Sequence, residues 1–144
     1  MRFADTAYFL ALLNPQDSWH EPALRLSRRR EGPLLTTVWV LLEVGDALAT
    51  GPNRQLFPRW LDSLLASARL EIVPATNDWF FRGLALYRGR ADKEWSLTDC
   101  ISFVVMGERS LTEALTSDHH FEQAGFTVLL KPEGYSLPGS VLTI

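Results

Sequence analysis

Short runs of four or five residues, mostly apolar, recur along this 144-residue chain, each separated from the next by a longer apolar-periodic segment. Runs of that length are too short for helices and read as strands. The five candidates are Arg2-Phe3-Ala4-Asp5, Leu34 to Thr37, Leu70 to Val73, Glu113 to Thr116 and Phe126 to Leu130. Between them lie the apolar segment Thr6 to Leu13 and helix-patterned segments at Asp17 to Arg30, Val38 to Thr50, Gln55 to Ala68, Thr76 to Arg88, Ser96 to Arg109 and Asp118 to Gln123. Breakers at Asn14-Pro15, Gly32-Pro33, Gly51-Pro52 and Pro74, with the polar loop Gly89 to Trp95, punctuate the series. Asp17 or Ser18 is expected to cap the helix that ends near Arg30, and Thr76 or Asn77 the one that ends near Arg88. Strands alternating with helices predict an α/β fold with a mostly parallel sheet covered on both faces. The length suits one domain with one core. From Lys131 onward, Pro132, Gly134, Pro138 and Gly139 predict an irregular tail.

Composition narrows the class of protein. The single Cys100 leaves no intrachain disulfide framework and no Cys-rich zinc site. An acid at Asp5 interrupts the N-terminal apolar stretch, so no secretory signal is expected, and no apolar run reaches the roughly 20 residues of a membrane span. These features predict a cytoplasmic protein. The formal net charge of −3 lacks the basic excess common in bulk RNA binders. Local acidic charge is nevertheless what a hydrolase holding divalent cations requires.

Four acids stand out by position and neighbours. Asp5 closes the first strand, and Asp118 lies just past the fourth. Glu43 is about two turns into the helix after the second strand, and Asp99 is in the first turn of the helix after the polar loop. In a parallel sheet, functional groups gather at the carboxyl ends of the strands, so the four can meet at one edge. Each also has apolar flanks, as in Val38-Trp39-Val40-Leu41-Leu42-Glu43-Val44. A carboxylate buried there needs a counter-ion. Mg²⁺ or Mn²⁺ fits an all-oxygen donor set, and such an ion activates water and clamps phosphate oxygens, the chemistry of phosphodiester hydrolysis.

At these residues the chain resembles the PIN-domain family of nucleases, which includes the VapC toxins of bacterial toxin–antitoxin pairs. Phe3-Ala4-Asp5-Thr6-Ala7-Tyr8 is similar to the family's opening strand ending in Asp-Thr or Asp-Ser. Thr37 to Leu48 is similar to its Glu-bearing helix. Ser96-Leu97-Thr98-Asp99 matches a Ser-x-x-Asp helix start, and Thr116 to Gly125 a Thr-x-Asp-x-x-Phe-x-x-x-Gly segment. The resemblance implies a three-layer α/β/α PIN-like fold with about five strands, forming one domain over residues 1–144. It implies Asp5, Glu43, Asp99 and Asp118 as catalytic and metal-binding acids, with Thr6, Ser96 and Thr116 as supporting hydroxyls. It further implies an RNA substrate, an antitoxin peptide partner and a homodimer. The competing reading is a catalytically silent PIN-fold module that binds RNA or protein.

Other residues have plainer readings. His119 and His120, at the start of a short helix, are expected on the surface. Asp92 reads as a loop acid, Asp46 as a solvated acid and Cys100 as a small core residue. Arg28-Arg29-Arg30 can contact phosphates or simply solvate a helix end. Trp39, Trp60, Trp79 and Trp95 read as core or interface, with Trp95 bordering the proposed site.

Overall fold

The structure, a computed structural model, describes residues 1–132. The expected irregular tail therefore lies almost entirely outside the described residues. Five strands form one sheet: β1 (Arg2–Ala4), β2 (Leu34–Thr37), β3 (Leu70–Val73), β4 (Glu113–Leu115) and β5 (Thr127–Val128). Their order is β3-β2-β1-β4-β5 and every pairing is parallel. β1 sits at the centre, with Phe3 and Ala4 fully buried. The buried Thr36 hydroxyl donates to the Ala4 carbonyl at 2.8 Å, tying β1 to β2 beyond the ladder.

Among the described residues seven α-helices connect the strands: α1 (Thr6–Leu13), α2 (His20–Arg29), α3 (Val38–Ala47), α4 (Leu56–Leu65), α5 (Asn77–Gly89), α6 (Leu97–Glu108) and α7 (His119–Gln123). A single 3₁₀ turn at Gly51–Arg54 leads into α4. The chain winds from β1 through β2 to β3, then returns past β1 to β4. Right-handed crossovers in these opposite directions place α1 to α4 on one face and α5 to α7 on the other. Accordingly α1 packs on α2 and α3, while α6 packs on α5 and α7. The winding reverses between β1 and β4. At that reversal the two connections leave in opposite directions and open a crevice beyond the strand ends.

Aromatic side chains fill much of the space between the layers. Phe103 of α6 stands edge-on to Phe121 of α7 at 4.9 Å and to Trp95 at 5.0 Å between ring centroids. Phe9 meets Trp60 the same way at 5.0 Å on the other face. The α5–α6 contact is closer than any side chain allows at its centre. A Cβ on Gly83 would stand 2.3 Å from Ile101 Cγ1 and 3.0 Å from Ile101 Cα. Gly83→Ala is therefore expected to destabilise the protein by about 1–3 kcal/mol through overpacking, read as a lower urea midpoint.

Sequence and structure differ mainly at the element ends. α2 begins at His20, because the Asp17 carboxylate turns back to accept from the Trp19 amide at 2.8 Å and closes a turn before the helix. Pro22 lies in the first turn of α2, where its missing N–H costs nothing. α3 stops at Ala47 and α4 at Leu65, each three residues short of the expected end. The strand expected to run to Leu130 is Thr127–Val128, although Leu129 and Leu130 still donate to Ala114 and Thr116 at 3.0 and 3.2 Å.

Candidate active site

The crevice at the reversal contains all four acids. Asp5 is the residue after β1 and the N-cap of α1, so the bend from strand to helix delivers its carboxyl to the crevice. The ladder reaches it, with its amide donating to the Leu115 carbonyl at 3.1 Å. Thr116 and Asp118 follow the neighbouring strand β4. Glu43 projects from α3 and Asp99 from the first turn of α6. Together Asp5, Glu43, Asp99 and Asp118 line one cavity of about 360 Å³ with Thr6, Ala7, Leu10, Glu94, Ser96 and His120.

The three hydroxyls named from sequence all contact these acids, and a fourth that the sequence reading missed, on Thr98, also hydrogen-bonds Glu43. The Thr116 hydroxyl donates to Asp5 Oδ2 at 2.8 Å while accepting from the Asp118 amide at 3.1 Å. One side chain thus joins the ends of β1 and β4. The Thr6 hydroxyl donates to Glu43 Oε1 at 2.6 Å. Ser96 caps α6 in a reciprocal box: its hydroxyl accepts from the Asp99 amide at 3.0 Å, and Asp99 Oδ2 accepts from the Ser96 amide at 3.2 Å. Asp118 caps α7, its Oδ1 accepting from the His120 amide at 2.9 Å.

Burial and mutual repulsion hold several of these acids toward the neutral form. Desolvation raises Asp5 from 3.8 to about 7; hydrogen bonds from Thr116 and Thr6 oppose this, and the charges of Asp99 and Glu43 add to it. Burial likewise pushes Glu43 up, against the Thr6 hydrogen bond and reinforced by Asp99. Asp99 is raised by burial and next by the neighbouring Asp118. Among the described residues no Lys or Arg lines the cavity. An electrostatic load of this kind is relieved by a bound cation.

His119 is exposed as expected, but His120 is only 20% exposed and turns inward. Its Nδ1 lies 3.4 Å from both Asp99 Oδ2 and Asp118 Oδ1. Its partners come from α6 and from the cap of its own helix, and that convergence of separate elements carries no local sequence signal. Glu94 also lines the cavity; its place two residues before the Ser96 cap was the available clue. Asp92 instead pairs with Arg90 at 2.9 Å on the surface. Trp95 is buried beside the site, its indole N–H donating to Gln123 Oε1 at 3.0 Å.

The PIN domain family model matches residues 2–127. The chain belongs to the PIN-domain family. Among its relatives is the 23S rRNA-specific endonuclease VapC20 of Mycobacterium tuberculosis, 29% identical over 136 residues that cover 92% of this chain and 100% of the relative. The crystal structure of M. tuberculosis VapC20, a sarcin–ricin loop cleaving toxin, superposes with a TM-score of 0.82 at 26% identity, covering 92% of this chain and 100% of that one. The crystal structure of FitAcB from Neisseria gonorrhoeae gives a TM-score of 0.62 at 18% identity over 89% and 96% of the two chains, a likeness of fold alone. The five-stranded parallel sheet is thus the PIN arrangement, and the acid cavity lies at the carboxyl edge of its strands.

Proposed function

We propose that this PIN-domain chain is a metal-dependent endoribonuclease of the VapC kind, hydrolysing RNA phosphodiester bonds with Asp5, Glu43, Asp99 and Asp118 as its catalytic acids. The observation that carries this reading is the convergence of four acids and their orienting hydroxyls on one cavity that no Lys or Arg lines among the described residues. The donor set suits Mg²⁺ or Mn²⁺, since it is dominated by carboxylate oxygens. Among the described residues, the ligand atoms that approach within 4.8 Å of one another as a set of three are those of Asp118, His119 and His120. Among the described residues no three of the cavity's acids approach one another that closely. That spacing suits Mg²⁺, which keeps several of its waters and takes few direct protein ligands.

The four acids would hold the ion, and when bound it would supply a Lewis acid that activates water and stabilises charge on phosphate oxygens. The protein's own contribution is orientation. Thr116 fixes the Asp5 carboxyl relative to Asp118, and Thr6 fixes Glu43, so the oxygens face the cavity without searching rotamers. The α6 cap holds Asp99 in place in the same way. His120 stands between Asp99 and Asp118, 3.4 Å from an oxygen of each.

The substrate is RNA, supported by the rRNA-specific relative. An antitoxin peptide and a second copy of the chain are the proposed partners. Apolar side chains left in solvent, Leu42, Leu65 and Phe81, each 59% exposed, offer surface for such contacts. No helix among the described residues is long and apolar enough to cross a membrane, and the proposed location remains the cytoplasm. Incubating the purified chain with RNA and Mn²⁺ tests the reading: cleavage that stops on chelation is expected. Persistent RNA binding with no cleavage in either Mg²⁺ or Mn²⁺ would point to a silent module instead.

A further inference from the structure

The acid cavity repels a phosphodiester chain until a cation is bound, so the attraction that RNA requires has to come from beside it. A larger cleft, about 720 Å³, adjoins the cavity and shares two of its wall residues, Glu94 and Ser96. It lies between the C-terminal end of α5 and the start of α6, and Arg88, Arg90 and Lys93 line it. These cations are not equivalent. The Arg90 guanidinium bonds both oxygens of Asp92, at 2.9 and 3.0 Å, and lies 5.0 Å over the Trp95 ring, so it serves as wall. Arg88 and Lys93 form no ion pair among the described residues. Two cations held in no ion pair, with Asp92 acting on Lys93 and Glu94 in the shared wall as the nearby acids, still give a basic approach beside the acid cavity for a polyanion moving toward a metal site.

We propose that this cleft seats the RNA strand flanking the scissile bond, with Arg88 and Lys93 on its phosphates. The proposal rests on the ribonuclease reading of the acid site. The other basic cluster, Arg28-Arg29-Arg30, lies at the end of α2, where the chain turns to enter β2. None of the three lines the acid cavity or the cleft beside it, so the cluster serves as a charge-matched control.

The test uses full-length Asp5→Asn protein, fluorescein-labelled RNA and anisotropy across a KCl series. Two unrelated RNAs are used, a hairpin and a single strand. Adding Arg88→Ala with Lys93→Ala is expected to weaken both RNAs by about tenfold and to reduce the slope of log K against log salt by about 1.5. Arg88→Lys with Lys93→Arg, which keeps the charge, is expected to retain the slope. Adding Arg28→Ala with Arg29→Ala is expected to do the same. An unchanged slope in the Arg88/Lys93 alanine pair, or an equal loss in the Arg28/Arg29 pair, overturns the cleft. Cleavage is scored separately on the unmutated chain. Binding through Arg88 and Lys93 without any cleavage supports the cleft and overturns the ribonuclease reading.

Discussion

Asp5→Asn and Asp99→Asn proteins are expected to lose RNA cleavage by about 10³-fold or more while remaining folded. Each substitution keeps the shape and one carboxyl-like oxygen, so the local acceptor roles survive. The Asp5 position still accepts from Thr116, and the Asp99 position still accepts from the Ser96 amide. What is lost is negative charge facing the cavity. A metal centre supplies several kcal/mol of transition-state charge stabilisation, and each 1.36 kcal/mol is about tenfold in rate, which sets the expected size. Initial rates on a quenched fluorescent RNA in Mn²⁺, with far-ultraviolet circular dichroism as the folding control, measure it. Full Mn²⁺-dependent activity in both variants would sink the assignment.

The second large effect is on stability in the absence of metal. Asp5 titrates near 3.8 in an unfolded chain and at about 7 in the folded one. From about pH 4 to about pH 7 the folded protein therefore binds a proton that the unfolded chain has already released. Stability is greatest at the acid end of that window and falls as pH rises through it. The ionised form is penalised by about 4 kcal/mol on the folded side. Glu43 and Asp99 are raised as well, so they act in the same direction. Urea midpoints in chelator are expected to drop between pH 5 and pH 7 in the unmutated chain, and much less in Asp5→Asn. A midpoint that rises over this window, or an equal drop in the variant, contradicts the buried-acid account.

Much of this architecture is legible in the sequence. Strand runs such as Leu34 to Thr37 and Leu70 to Val73 are continuous enough to identify, and Gly-Pro breakers bound the helices between them. The positions of the three hydroxyls are local, Thr6 directly after Asp5, Ser96 three residues before Asp99 and Thr116 two before Asp118, but the acids that Thr6 and Thr116 donate to are distant ones. What the sequence conceals is set by distant contacts. Thr116 reaches Asp5 across 111 residues, a pairing that exists only because β1 and β4 are neighbours in the sheet. His120 turns inward because Asp99 and Asp118 meet beside it, and a two-residue histidine run shows no sign of that. α2 starts three residues after Asp17 because Asp17 satisfies a turn amide before the helix instead of capping the helix itself. Local chemistry was readable at each of these points, and the partner that decides between local outcomes was not.

Whether the four acids hold a divalent ion decides the catalytic assignment. Thermal denaturation of the unmutated chain and of Asp99→Asn, each titrated with Mn²⁺ after chelation, measures this without requiring a substrate. Binding that favours the folded state stabilises it by about 2.7 kcal/mol at a hundredfold excess over Kd. The expected result is a melting temperature that climbs with Mn²⁺ in the unmutated chain and stays nearly flat in the variant. No climb in the unmutated chain, or the same climb in both, would contradict the metal site.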